Sequence, residues 1–127
     1  MSVLDYVLAG INLAPFPLGH VEMQITASND GEYFRPHVDN AHAQVSTRRL
    51  TFVLFFHREP TRFSGGRLRF YAQRDGRPGL QVAEVVPRQN QVVFFQPHVY
   101  HEIETVSCPS GQFQDSRFTL NGWYHEV

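Results

Sequence analysis

Leu50-Thr51-Phe52-Val53-Leu54-Phe55-Phe56 is an almost unbroken apolar run. Short, aromatic and β-branched, it predicts a central strand covered on both faces rather than a helix. Upstream, Val21 to Ala27 alternates apolar and polar residues, as a strand with one wet face does. Asn29-Asp30-Gly31 predicts a turn, and Tyr33 to Val38 re-enters extended structure. Downstream, Ser64-Gly65-Gly66 interrupts the chain and Arg67 to Tyr71 alternates again. Arg74 to Gly79 carries two glycines and a proline and predicts a surface loop. Leu80 to Val86, Gln91 to Phe95, Val99 to Val106 and Arg117 to His125 bring the count to about eight short strands. Such spacing predicts an all-β antiparallel sandwich or jelly roll. Val3 to Ala9 is the one helical stretch, too short and weakly patterned to shape the fold.

The 127 residues predict a single domain over 1–127, large enough to bury roughly two-thirds of its unfolded surface. A net charge of -1 gives no basic footprint for nucleic acid. The arginines of Arg48-Arg49 and of Arg58 to Arg77 read as solvated loop residues. A lone cysteine, Cys108, excludes an internal disulfide and a four-cysteine zinc site, and reads as an incidental thiol. Met1 to Pro17 lacks a basic start followed by an apolar run. No stretch approaches the ~20 apolar residues of a membrane span. The expectation is a cytoplasmic protein without membrane contact.

Chemistry concentrates in His37, Asp39 and His101, with Arg117 beyond them. In an extended strand, residues i and i+2 share a face, so His37 and Asp39 can reach one ion. His101 lies far off in sequence and must arrive on a spatially adjacent strand. Two imidazoles and a carboxylate can hold one face of iron(II) and leave positions open for a co-substrate and dioxygen. Zinc with a bound water is the chemical competitor. His98 is the rival distal ligand; at an odd spacing from His101 it falls on the opposite face, at the strand entrance after Pro97. His20, His42, His57 and His125 have no partner spacing and read as loop or edge residues. Alternation places Arg117 on one face with Thr119, Asn121 and Trp123. An arginine turned into a barrel needs an anion, and its planar fork suits a carboxylate.

Four blocks together resemble iron(II)/2-oxoglutarate-dependent dioxygenases of the prolyl-hydroxylase type, from about Val21 to Tyr124. Gly31-Glu32-Tyr33-Phe34-Arg35-Pro36-His37-Val38-Asp39-Asn40 resembles the segment ending in the first two iron ligands. Ser64 to Phe70 resembles the Gly-Gly turn and the strand after it. Val92-Val93-Phe94-Phe95 and then His101-Glu102-Ile103 resemble the approach to the distal histidine. Arg117 to Tyr124 resembles the last core strand. The hypoxia-sensing prolyl hydroxylases are the most similar subgroup by eye.

This resemblance implies a double-stranded β-helix (jelly roll) core with little helical support. It implies iron(II) on His37, Asp39 and His101, and 2-oxoglutarate with its distal carboxylate on Arg117. Thr119, Asn121 and Trp123 would line the cofactor pocket, and ascorbate would be an accessory. The implied reaction hydroxylates an unactivated C–H bond of a prolyl residue, or of a small proline-like molecule, while 2-oxoglutarate is decarboxylated to succinate. Two family tyrosines are replaced: Ser28 stands at one position and Leu54 is aligned with the other, leaving Thr51 or Thr119 to substitute. Nucleic-acid demethylases of the same barrel carry a second arginine where Trp123 stands. The chain holds the barrel and little helical support, so substrate-binding appendages are expected to be reduced or supplied by another chain. The oligomeric state is left open. The runner-up readings are a non-catalytic cupin-like metal-binding barrel and a carbohydrate- or protein-binding sandwich whose histidines are coincidental.

Overall fold

The computed structural model describes residues 1–127. A short helix α1 (Val3–Gly10) precedes ten strands. These are β1 (Leu18–Ser28), β2 (Phe34–His37), β3 (Arg48–Phe56), β4 (Ser64–Gly65) and β5 (Leu68–Arg74). Then come β6 (Arg77–Val85), β7 (Gln91–Phe95), β8 (Tyr100–Ile103), β9 (Val106–Ser107) and β10 (Arg117–Glu126). Two four-stranded antiparallel sheets, ordered β1-β10-β3-β7 and β2-β8-β5-β6, form the jelly roll, with β4 and β9 as a small ribbon at one end. No helix is long and apolar enough to cross a membrane.

The two sheets meet through their inner faces. Val53 and Phe55 of β3, Leu68 and Phe70 of β5, and Phe95 of β7 form the buried cluster. The alternate residues Phe52, Leu54 and Phe56 are only partly covered, so β3 is dry on one face rather than on both. On that outer face the Phe52 ring lies across β10 at Gly122, where an added Cβ would stand 1.9 Å from it. The glycine is thus a packing requirement of the aromatic opposite it.

Helix α1 forms over the expected stretch, closed by a reciprocal capping box between Ser2 and Asp5. Other expectations shift. Arg74 to Gly79 is a tight hairpin, not a loop: Arg74 pairs with Arg77 around Asp75 and Gly76, both at positive φ. The expected strand Val99 to Val106 divides, because the chain after Ile103 leaves β5 and pairs with Ser64 and Gly65 instead. His125 and His57 are buried rather than peripheral. His125 is held by Thr47 and Glu22, and His57 by the Arg58 carbonyl.

Candidate active site

His37 ends β2 and is paired directly with His101 of β8. Each ring is fixed in the same way. His37 Nδ1 lies 2.8 Å from the Arg35 carbonyl and His101 Nδ1 lies 2.8 Å from the Val99 carbonyl, so each N–H donates two residues back along its own strand. That selects the tautomer with a free lone pair on Nε2, the arrangement a metal-binding imidazole needs. Asp39 lies just past the end of β2, so strand alternation does not place it. Its N–H donates to Pro97 O at 2.8 Å and its carbonyl accepts from Arg48 at 2.9 Å.

The Asp39 carboxylate divides its work between its two oxygens. Oδ2 accepts from Thr51 Oγ1 at 2.9 Å and from Trp123 Nε1 at 3.1 Å. Oδ1 faces His37 Nε2 at 3.5 Å and His101 Nε2 at 3.3 Å. The three donor atoms lie within 4.8 Å of one another, close enough to converge on one ion after a small adjustment of the side chains. Burial alone would push the Asp39 carboxyl up. His101, His37 and the indole N–H outweigh it and hold the carboxyl well below its usual range. It is therefore an anion, which a divalent metal requires.

A cavity of about 270 Å³ runs from these residues into the barrel. Arg117, Thr119, Asn121 and Trp123 all line it, as do Thr51, Thr26 and Ser28. Arg117 is 2% exposed. Its Nε donates to Gly66 O at 2.7 Å, its guanidinium stands 5.2 Å from the Phe55 ring centroid, and its Nη2 is buried without a partner. Desolvation pulls its pKa down to about 10, so it keeps its charge at neutral pH. A buried, charged donor without an acceptor fits a ligand carboxylate. The donor set suits a first-row divalent ion.

Some assignments change. Leu54 pairs with Val92 and Leu120 on the outer face, one residue out of phase with the cavity, so it is not the position facing a bound acid. Phe55 occupies that place beside Arg117. Ser28 does line the cavity, opposite Arg117 in the β1–β10 register. Thr51 is committed to Asp39, and Thr119 Oγ1 is hydrogen-bonded to Thr26 Oγ1. His98 is exposed, away from the three donors. The support given to Asp39 by Thr51 had a trace in the sequence, as a lone hydroxyl inside an apolar strand. The contribution of Arg48 had none.

The fold agrees with the comparisons. The profile of the 2OG-Fe(II) oxygenase superfamily matches residues 23–125, and the chain belongs to that family. It is 39% identical, over 126 residues, to an uncharacterised PKHD-type hydroxylase of Synechocystis. That match spans 94% of the chain and 41% of the relative. It is 33% identical over 85 residues to a prolyl 3-hydroxylase of Xenopus laevis, covering 65% of the chain and 16% of that protein. The chain thus spans well under half the length of these curated relatives. Among solved structures, a Pseudomonas putida prolyl-4-hydroxylase superposes with TM-score 0.63 at 25% identity, covering 87% of this chain and 53% of that one. A 2OG-Fe(II) oxygenase of Burkholderia pseudomallei shares the fold, with TM-score 0.57 at 22% identity over 81% of this chain and 41% of that one.

Proposed function

We propose that this chain is the catalytic barrel of an iron(II)- and 2-oxoglutarate-dependent hydroxylase acting on a prolyl residue or a proline-like ring. One observation carries the reading: three candidate metal-donor atoms and a buried guanidinium with one unpartnered nitrogen line the same cavity. His37, Asp39 and His101 hold the metal. Arg117 takes the distal carboxylate of 2-oxoglutarate, while Thr119, Asn121 and Trp123 wall the pocket. When bound, the iron and co-substrate supply oxidising power from dioxygen for C–H hydroxylation.

The protein's part is placement. The backbone carbonyls of Arg35 and Val99 aim the two imidazoles, Asp39 supplies the negative charge, and Arg117 draws the co-substrate to the closed end. At the mouth, Tyr33 and Phe34 are 67% and 53% exposed yet line the cavity. Their flat apolar faces suit a saturated ring, and the prolyl hydroxylases among the relatives favour the same substrate. We further read residues 1–127 as one domain, since both sheets share one buried cluster, and keep the cytoplasm as the expected location.

The deciding assay supplies iron(II), ascorbate and 2-oxoglutarate and follows succinate with and without proline-containing peptides and free proline. Release stimulated by a prolyl substrate is expected, and Asp39→Ala abolishes it. Binding of metal and 2-oxoglutarate without turnover on any substrate would instead make this a non-catalytic barrel.

A further inference from the structure

The metal-facing carboxylate is steered from behind. Arg48 donates through Nη1 to the Asp39 carbonyl at 2.9 Å, and its guanidinium lies 3.8 Å from the Trp123 ring centroid. Trp123 in turn donates to Asp39 Oδ2, so Arg48 touches Asp39 directly and again through the indole. Arg48 is itself fixed: Nε and Nη2 meet Glu22 Oε1 and Oε2 at 3.0 and 2.7 Å, a two-point fork. Glu22 Oε1 also receives His125 Nε2 at 2.8 Å, and His125 Nδ1 is bound to Thr47 at 2.7 Å. The path crosses from the edge strand β1 through β10 and the start of β3 to the residue just beyond β2. None of these residues reaches the metal position.

We infer that Arg48, gripped by Glu22, is a positioning residue that fixes Asp39 with one oxygen turned to the metal and the other to Thr51 and Trp123. Asp39 has no strand neighbours to aim it, so its direction depends on the contacts made by its carbonyl, its N–H and Oδ2. A planar guanidinium can stack on the indole, fork onto Glu22 and reach the carbonyl at once; an ammonium cannot do all three. Outer contacts of this kind commonly change metal affinity by 10- to 100-fold.

The inference rests on the metal reading, and its test needs no turnover. Manganese(II) is titrated into the purified chain by calorimetry. Emission of Trp123, the sole tryptophan, is followed in parallel, since a paramagnetic ion bound beside it quenches the indole. Arg48→Lys is expected to raise the manganese Kd roughly tenfold or more, and Glu22→Gln to raise it by a smaller factor. Arg49→Lys, which disturbs the contacts with Glu126 and the Phe16 ring and none of this path, leaves it unchanged. Circular dichroism identifies the folded variants; Glu22→Gln alters a partly exposed group and provides a milder probe if Arg48→Lys fails to fold. A purely structural role would lower the melting temperature while folded Arg48→Lys and Glu22→Gln bound manganese as tightly as the wild type; that result overturns the inference. Failure of the wild-type chain itself to bind manganese would bring down the metal reading and this inference with it.

Discussion

Replacing Arg117 by methionine separates what this residue costs the fold from what it gives the site. The guanidinium is 2% exposed and one of its nitrogens has no acceptor. The fall of its pKa to about 10 corresponds to about 3 kcal/mol of unfavourable burial of the charge. A bound carboxylate would recover an energy of that order, so Arg117→Met should weaken 2-oxoglutarate binding by roughly two orders of magnitude. The ligand-free fold should behave differently. Losing a poorly paired charge is stabilising, while leaving Gly66 O without its donor costs about 1–3 kcal/mol. The two effects offset, and the melting temperature should move by only a few degrees. Calorimetry of 2-oxoglutarate into the manganese-loaded protein, with thermal melts with and without ligand, reads both quantities. Equal affinities for wild type and variant would refute the placement of the carboxylate. A collapse of the ligand-free melting temperature would show instead that Arg117 is a structural residue.

Gly66→Ala puts a Cβ 2.6 Å from Arg117 Cδ at a residue with φ of +65°, so it should weaken 2-oxoglutarate binding and spare manganese binding, as paired titrations would show. Gly122→Ala forces a Cβ into the Phe52 ring; denaturant unfolding should register a loss of about 2 kcal/mol or more. Arg48 holds the Glu22 carboxyl below its ordinary range, assisted by His125 against the opposing effect of burial. A carboxyl depressed in the folded state adds stability at neutral pH that is lost as pH falls through its folded pKa. Between pH 7 and acid below the normal glutamate range, Glu22→Gln should therefore lose less melting temperature than the wild type; an identical slope would contradict the sign.

Alternation and spacing revealed most of the barrel because the core is built from period-two strands such as β3 and β10, whose inner residues are apolar or site-forming. His37, His101 and Arg117, candidates that lie in strands, were readable for the same reason. Tertiary accommodation was not. Asp39 falls outside its strand and is aimed by Arg48 and Pro97, contacts that no local pattern encodes. Phe55, rather than Leu54, faces Arg117 because pairing with β10 fixes the phase of β3, and one residue of error exchanges the faces. The burial of His125 depended on Glu22, more than a hundred positions away in the chain. The hairpin at Asp75-Gly76 was legible in principle, since a glycine after aspartate suits positive φ at both central positions.

The two imidazoles are each tethered to a carbonyl two residues back and face one another across a single strand pair. Their aim is set within the short stretches Arg35–His37 and Val99–His101. Insertions or deletions in the connections between β3 and β7 leave both tripeptides intact, whereas a one-residue change inside either tripeptide would turn its imidazole away from the cavity. Sequence length is therefore free to drift in those connections, while the aim of both rings is settled at two places only three residues long.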